Sequence, residues 1–258
     1  MSDSPDDVVL VERRGAVQVV TINRPQARNA LDAAVARGVA AAVDELDATD
    51  GLRAGVLTGA GGFFSAGMDL KAFLRGETPA IEGRGLCGIT RTPPRKPLIA
   101  AVEGGALAGG FELVLACDLV VAARGARFGV PEVKRSLVAA GGAALLLPQR
   151  VPRAVAVELL LTGEPMDAER AAAVGLVNRV VDEGTALDAA VELAGVIAAN
   201  GPLAVAATKE IVQSAPAWGP EEMWARQDQV IAPVFASEDA REGSVAFAER
   251  RPPVWRGR

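Results

Sequence analysis

Short β-branched runs alternate with Ala-rich helical stretches along the first part of the chain. That order constrains the fold more than any other feature, because strands joined through crossover helices build an α/β core. VVLVE at Val8 to Glu12 and AVQVVTIN at Ala16 to Asn23 flank Arg-Arg-Gly and predict a hairpin. The chain then turns at Pro25 and becomes an Ala-rich helix with Asn29 or Asp32 near its start. RAGVLTG at Arg53 to Gly59 predicts a strand, GAGGFFSAGMDL a loop, and PLIAAV at Pro97 to Val102 a buried strand before a Gly104-Gly105 turn. Between them, Gly76 to Arg95 mixes Gly, Pro and scattered charge and predicts a mobile loop with one helix at most. Gly109 to Ala116 is helical, DLVVAA and ARFGV are extended, and from Gly141 onward helix-periodic segments dominate, relieved by GLVNRVV. From Pro202 three helices follow, broken at Pro216, Gly219 and Pro220 and again near Ser237, an N-cap ahead of Glu238 and Asp239. The expectation is an α/β core followed by a helical C-terminal part, with no internal repeat in the sequence.

Composition narrows the chemistry. The 258 residues contain no histidine and no tyrosine, so Ser-His-Asp and Cys-His catalysis and His-based zinc sites are excluded, and acid–base work falls to carboxylates or lysines. Cys87 and Cys117 have neither metal-ligand spacing nor the density of a disulfide framework, which fits a reducing cytoplasm. The N-terminal MSDSPDDVV is acidic and lacks the basic and apolar regions of a secretion signal. Glu112 and Asp118 interrupt the best apolar run before it reaches the roughly 18 residues of a membrane span. A net charge of −5 argues against a nucleic-acid surface but leaves room for a local anion site.

The chemistry-bearing stretch is VEGGALAGGFELVLACDLVVA, Val102 to Ala122, in which a lone carboxylate, Glu112, stands three residues after Gly109. GGALAGG fits neither the GxGxxG dinucleotide fingerprint nor a P-loop, which requires a lysine. Taken alone, Glu112 is a carboxylate favoured by a helix dipole. A glycine at a helix start, however, leaves main-chain N–H groups pointing outward, the arrangement that holds an anion or a developing oxyanion. A carboxylate three residues on lies about one turn up the same helix face. Glu132 after Pro131 supplies a second carboxylate, and Met68-Asp69 follow a Gly-rich loop; separately, each reads as ordinary loop sequence.

In order, NRPQARNAL, FFSAGMDLKAF, AAVEGGALAGGFELVLACDLVVA, ARFGVPEV, LLTGEPMDAERAAAVGLVNRVV and EGSVAFAERRPPVW resemble the enoyl-CoA hydratase (crotonase) family over essentially the whole chain. The resemblance implies a crotonase-like spiral of ββα units in residues 1–200 carrying the active site, with 201–258 as a helical oligomerisation region. It also implies homotrimers that pair into dimers of trimers, and an acyl-CoA thioester substrate. Main-chain N–H groups of Met68 and Gly109 would bind the thioester oxygen, with Glu112 activating water and Glu132 delivering a proton to Cα. Ala66, Asp69 and Leu70 would wall the adenine, Arg28 would meet CoA phosphates, and Ala30, Gly67, Lys71 and Gly110 would complete the substrate and CoA site. No cofactor or metal beyond the CoA of the substrate is required, and neither a nucleic-acid nor a membrane partner is expected. Ala139 and Ala140 depart from the Pro-Gly that hydratases often carry there, which bears on the acyl group accepted. Three readings stay open: hydratase or a carnitinyl-CoA dehydratase-like hydro-lyase, Δ3-Δ2 enoyl-CoA isomerase, and a non-catalytic CoA-binding protein.

Overall fold

The computed structural model describes residues 7–258, so most of the acidic segment read above for a secretion signal lies outside the described residues. In chain order the elements are β1 (Val9–Arg14), β2 (Val17–Ile22), α1 (Ala33–Ala48), β3 (Ala54–Gly59), α2 (Leu70–Leu74), β4 (Ala80–Ile81), β5 (Gly85–Leu86), β6 (Leu98–Val102) and β7 (Gly105–Leu107). There follow α3 (Gly109–Ala116), β8 (Leu119–Ala123), β9 (Arg127–Gly129), α4 (Ala143–Arg150), α5 (Arg153–Thr162), β10 (Met166–Asp167), α6 (Ala168–Ala173), β11 (Arg179–Val181), α7 (Ala186–Ala198), α8 (Pro202–Ser214), α9 (Met223–Phe235) and α10 (Glu238–Glu249).

The main sheet has the order β1-β2-β3-β6-β8-β11. Its first pair is the antiparallel hairpin, and every later pairing is parallel. β3, β6 and β8 read as near-continuous apolar runs because both faces of the sheet are covered. On one face Phe64, Phe111, Phe128, Leu113 and Leu147 fill the principal core, with the Phe111 and Phe128 rings 5.7 Å apart. On the other, α7 lays Ala186, Ala190 and Ala194, spaced four apart on one stripe, against Val19, Val56, Ile99 and Val121.

A second, smaller sheet, β10-β9-β7, explains the spiral. β6 runs through a turn into β7 and then α3, and β8 into β9 and then, past a 3-10 turn at Pro131–Arg135, into α4. Two earlier turns follow the same path with single bridges in place of strands: Ser65 pairs with Ala106, and Leu31 with Met68, each in parallel. The ββα repeat is therefore spatial, carried by unequal segment lengths, and this is why the sequence shows no repeat. Stacking these turns sets the starts of α1, α2, α3 and α4 along one edge.

Several local expectations are sharpened. Asp32, not Asn29, caps α1, accepting a hydrogen bond from the Val35 N–H at 2.9 Å. Asn29 instead sits in the left-handed region at φ 54 and is fully buried. Between Gly76 and Arg95 there is no helix but the small β4–β5 hairpin, while the stretch read as loop ends in α2 because Asp69 caps it through the Lys71 and Ala72 N–H groups. Gly105 belongs to β7, so the turn before it is narrower than the sequence suggests. Ser237 caps α10, accepting from Ala240 N–H at 3.0 Å. α8 is tied to the core by Lys209, whose Nζ donates to Asp118 Oδ2 at 2.6 Å and to the Lys96 carbonyl at 3.0 Å. Among the described residues, no single helix is long and apolar enough to cross a membrane.

Candidate active site

The site forms where the second and third turns of the spiral meet. Leu31 N–H donates to the Gly67 carbonyl and Asp69 N–H to that of Leu31, which leaves the Met68 N–H between them pointing away. Gly109 opens α3, so its N–H has no acceptor within the helix. Among the described residues neither the Met68 nor the Gly109 N–H donates to a protein acceptor. Gly67 brings the two donors together: it holds φ +89, and a Cβ there would lie 2.8 Å from the Gly109 nitrogen and 2.7 Å from the Ala108 Cβ. Gly110 touches Ser65 and serves the same approach from below: its Cβ would fall 2.4 Å from the Ser65 carbonyl oxygen.

One turn up α3, Glu112 is 3 % exposed and turns its carboxylate onto the start of α4. Ala143 N–H donates to Oε1 at 3.1 Å, and Gly141 lies so close that a Cβ on it would sit 2.4 Å from Oε2. Burial pushes the Glu112 carboxyl above its ordinary range, and the N–H groups of Ala143, Gly141 and Gly142 only partly offset this. Glu132 comes from the 3-10 turn after β9. Its Oε2 is buried and has no hydrogen-bond partner among the described residues. Burial raises this carboxyl too; its own main-chain N–H opposes the shift, the Glu112 charge adds to it, and Arg135 opposes it weakly. Two carboxylates thus feel each other in a desolvated setting, one supported by three N–H groups and the other by almost none.

Arg24 and Ser65, to which the sequence reading assigned no role, and Asn29, read there only as a helix start, hold the loops that carry the donors. Arg24 Nη2 pairs with Asp69 Oδ2 at 2.9 Å, and its Nη1 with Asp32 Oδ2 at 3.1 Å and with the Ala30 carbonyl. One guanidinium therefore ties the caps of α1 and α2. Burial would raise the Asp69 carboxyl, but Arg24 and the Ala72 and Lys71 N–H groups outweigh it and hold it low. Asn29 donates to the Ala60 carbonyl at 2.8 Å and accepts from Arg24 N–H at 2.9 Å, while Ser65 Oγ donates to the Asn29 carbonyl and accepts from Gly67 N–H. An Asn in NRPQARNAL at a left-handed position was the one available signal. Arg24→Ala is expected to destabilise the fold by about 3 kcal/mol, since it strands two half-buried carboxylates, and to raise the KM for the CoA ester. Urea denaturation and steady-state kinetics check both.

The predicted residues divide into two groups. Gly67, Gly109 and Gly110 meet, Met68 follows Gly67, and Glu112 one turn up α3 is close enough for its charge to act on Glu132, while Ala66 and Asp69 flank the Gly67-Met68 pair in the chain. The Asp69 side chain, however, faces Arg24 and its own helix, not outward. Leu70 is half exposed beside them. The Arg28 and Lys71 side chains are exposed and form no ion pair among the described residues, whereas the Arg28 carbonyl pins the loop by accepting from Ala66 N–H at 2.9 Å. Cys87 and Cys117 are buried free thiols pushed up to about 12 by burial, so neither is a nucleophile. A separate groove of about 1130 Å³ opens between α8 and the far end of α3, lined by Leu115, Leu119, Ile197 and Val205, and touches neither glutamate.

Comparison with known proteins bears on this arrangement. The family profile described as enoyl-CoA hydratase/isomerase matches residues 12–258. Enoyl-CoA hydratase EchA19 of Mycobacterium tuberculosis is 43 % identical over 265 residues, covering 100 % of this chain and 99 % of its own. Carnitinyl-CoA dehydratase of Salmonella enteritidis is 42 % identical over 254 residues, 95 % of this chain and 97 % of the relative. Among solved structures, an enoyl-CoA hydratase from Mycobacterium tuberculosis H37Rv superposes with a TM-score of 0.96 at 59 % identity, covering 98 % of this chain and 100 % of that one.

Proposed function

The chain belongs to the enoyl-CoA hydratase/isomerase family, with the α/β architecture of its crotonase-like neighbours, and from that premise we propose that it adds water syn across the α,β double bond of a 2-enoyl-CoA thioester. The observation that carries this reading is the pair of N–H groups, Met68 and Gly109, that have no acceptor among the described residues, beside the buried Glu112 and the half-buried Glu132, whose Oε2 is itself buried. Addition of water at Cβ moves negative charge onto the thioester oxygen, and the two N–H donors stabilise that charge without reorganising. Glu112 takes the proton from water as its oxygen bonds to Cβ. Glu132, raised by burial and by the Glu112 charge and opposed mainly by its own main-chain N–H, is the group that gives a proton to Cα. The reverse sequence dehydrates a 3-hydroxyacyl-CoA, and the likeness to carnitinyl-CoA dehydratases supports including carnitinyl-CoA in the panel.

The test follows loss of the conjugated thioester absorbance with crotonyl-CoA and longer enoyl-CoAs, with product analysis of 3-enoyl-CoA in deuterated water to separate isomerisation. No turnover of any enoyl-CoA sinks the reading. The profile of kcat/KM against pH should be bell-shaped, its acid limb above the ordinary carboxylate range because Glu112 is raised. Glu112→Gln should remove the acid limb and Glu132→Gln the alkaline one. Linkage runs in the opposite sense for stability: with both carboxyls raised, the folded state binds more protons than the unfolded between the ordinary and the raised values. Stability therefore falls as pH rises through that window, and Glu132→Gln should flatten the fall.

The same proposal extends to assembly and setting. CoA arrives as part of the substrate, and no further cofactor is invoked. α9 has no buried residue, and Trp224, Phe235 and Phe247 are 68 %, 77 % and 87 % exposed, which supports 201–258 packing against further copies in a trimer or a dimer of trimers. Two free thiols support a cytoplasmic setting.

A further inference from the structure

The β4–β5 hairpin, in the segment whose sequence reads as a mobile loop, brings one aliphatic side chain to the site. Leu86 is 8 % exposed and belongs to the principal core. Its backbone is fixed on both sides: its N–H donates to Thr90 Oγ1 at 3.0 Å, its carbonyl accepts from Ile89 N–H at 3.1 Å, and the next N–H, of Cys87, donates to the Pro79 carbonyl at 2.8 Å. The Cδ2 methyl meets two positions of the site at once. A Cβ on Gly109 would lie 3.2 Å from it, and a Cβ on Gly141 3.0 Å from it; that same Gly141 position is 2.4 Å from Glu112 Oε2. The methyl therefore stands beside both the donor for the thioester oxygen and the carboxylate that faces Cβ, on the wall between them.

We infer that Leu86 is the specificity-determining side chain of this site, limiting the width of the acyl group just beyond Cβ so that a slender alkyl substituent is preferred over an aryl or branched one. This rests on the hydratase reading for the direction in which the acyl chain runs. An acyl group held at its carbonyl by the Gly109 N–H, with Cβ at Glu112, passes against this methyl. Glycine at 109 and 141 offers no side chain there, so Leu86 defines that boundary. Its backbone is held by the hairpin and its side chain by packing in the core, and van der Waals exclusion by a closely packed wall discriminates by steric bulk.

The test compares wild type, Leu86→Ala and Leu86→Val with crotonyl-CoA and cinnamoyl-CoA, reading the ratio of kcat/KM values. In parallel, calorimetry reads the ratio of dissociation constants for butyryl-CoA and 3-phenylpropionyl-CoA. Leu86→Ala should move both ratios toward the aryl ester by about tenfold, and Leu86→Val in the same direction by less. Ratios within about twofold of wild type in both readouts overturn the inference. If wild type hydrates nothing, the hydratase reading fails while the binding ratio still decides the role of Leu86. If Leu86→Ala does not fold, Leu86→Val decides it.

Discussion

Glu112→Gln is expected to lower kcat for enoyl-CoA hydration by about 10²–10⁴-fold, the usual contribution of a positioned acid or base, with KM changed little. Gln keeps the size and can still accept from Ala143 N–H, so the fold and the contact with α4 persist while the capacity to take a proton is lost. Glu132→Gln should fall in the same range. The double variant should be little worse than either single one, because groups that act on one water in a single step fail together. Stopped-flow or steady-state absorbance measurements on all three, with circular dichroism to verify folding, decide the matter. A double variant whose loss equals the product of the two single losses would mean that the carboxylates act independently.

The second large effect is expected from Gly67→Val. This substitution places a β-branched residue at φ +89 and drives its side chain into Ala108 and the Gly109 nitrogen. The two N–H donors must separate, and loss of one such donor costs about 10²–10³ in kcat. Backbone strain adds about 1–3 kcal/mol of destabilisation. Gly184→Val provides the comparison, since Gly184 holds φ +80 and, its chain neighbours aside, no described residue comes within 4 Å of its Cβ position. It should lose stability alone. Equal kinetic damage in both variants would show that strain, not donor geometry, is responsible.

The parts of the site written in local spacing were legible in the sequence. Gly109 and Glu112 lie on one short helix, so their separation fixes their geometry. Strand and helix order likewise followed from periodicity, and the cap of α10 from Ser237. What the sequence does not carry is through-space pairing. Glu112 and Ala143 meet across 31 residues, Arg24 and Asp69 across 45, and Ser65 and Asn29 across 36. None of these contacts has a period or a motif. The resemblance named the two carboxylates but not the Arg24–Asn29–Ser65 scaffold beneath them. The β4–β5 hairpin was unreadable for a different reason: two-residue strands are too short to show alternation, so Leu86 looked like any aliphatic residue in a loop.

The winding of the chain spreads the site over the whole molecule. Successive turns of the spiral each contribute to the site: Arg24 from the first, Met68 from the second, Gly109 and Glu112 from the third, and Glu132 with the start of α4 from the fourth. No single turn holds a working subset. A chain folded only through its third turn would possess both donors but leave Glu112 without the N–H groups that steady its charge. Catalytic competence therefore requires the fourth turn to be closed on the third, and activity reports on the winding as a whole, because a molecule that kept its helices and strands but lost that closure would lose the support of Glu112.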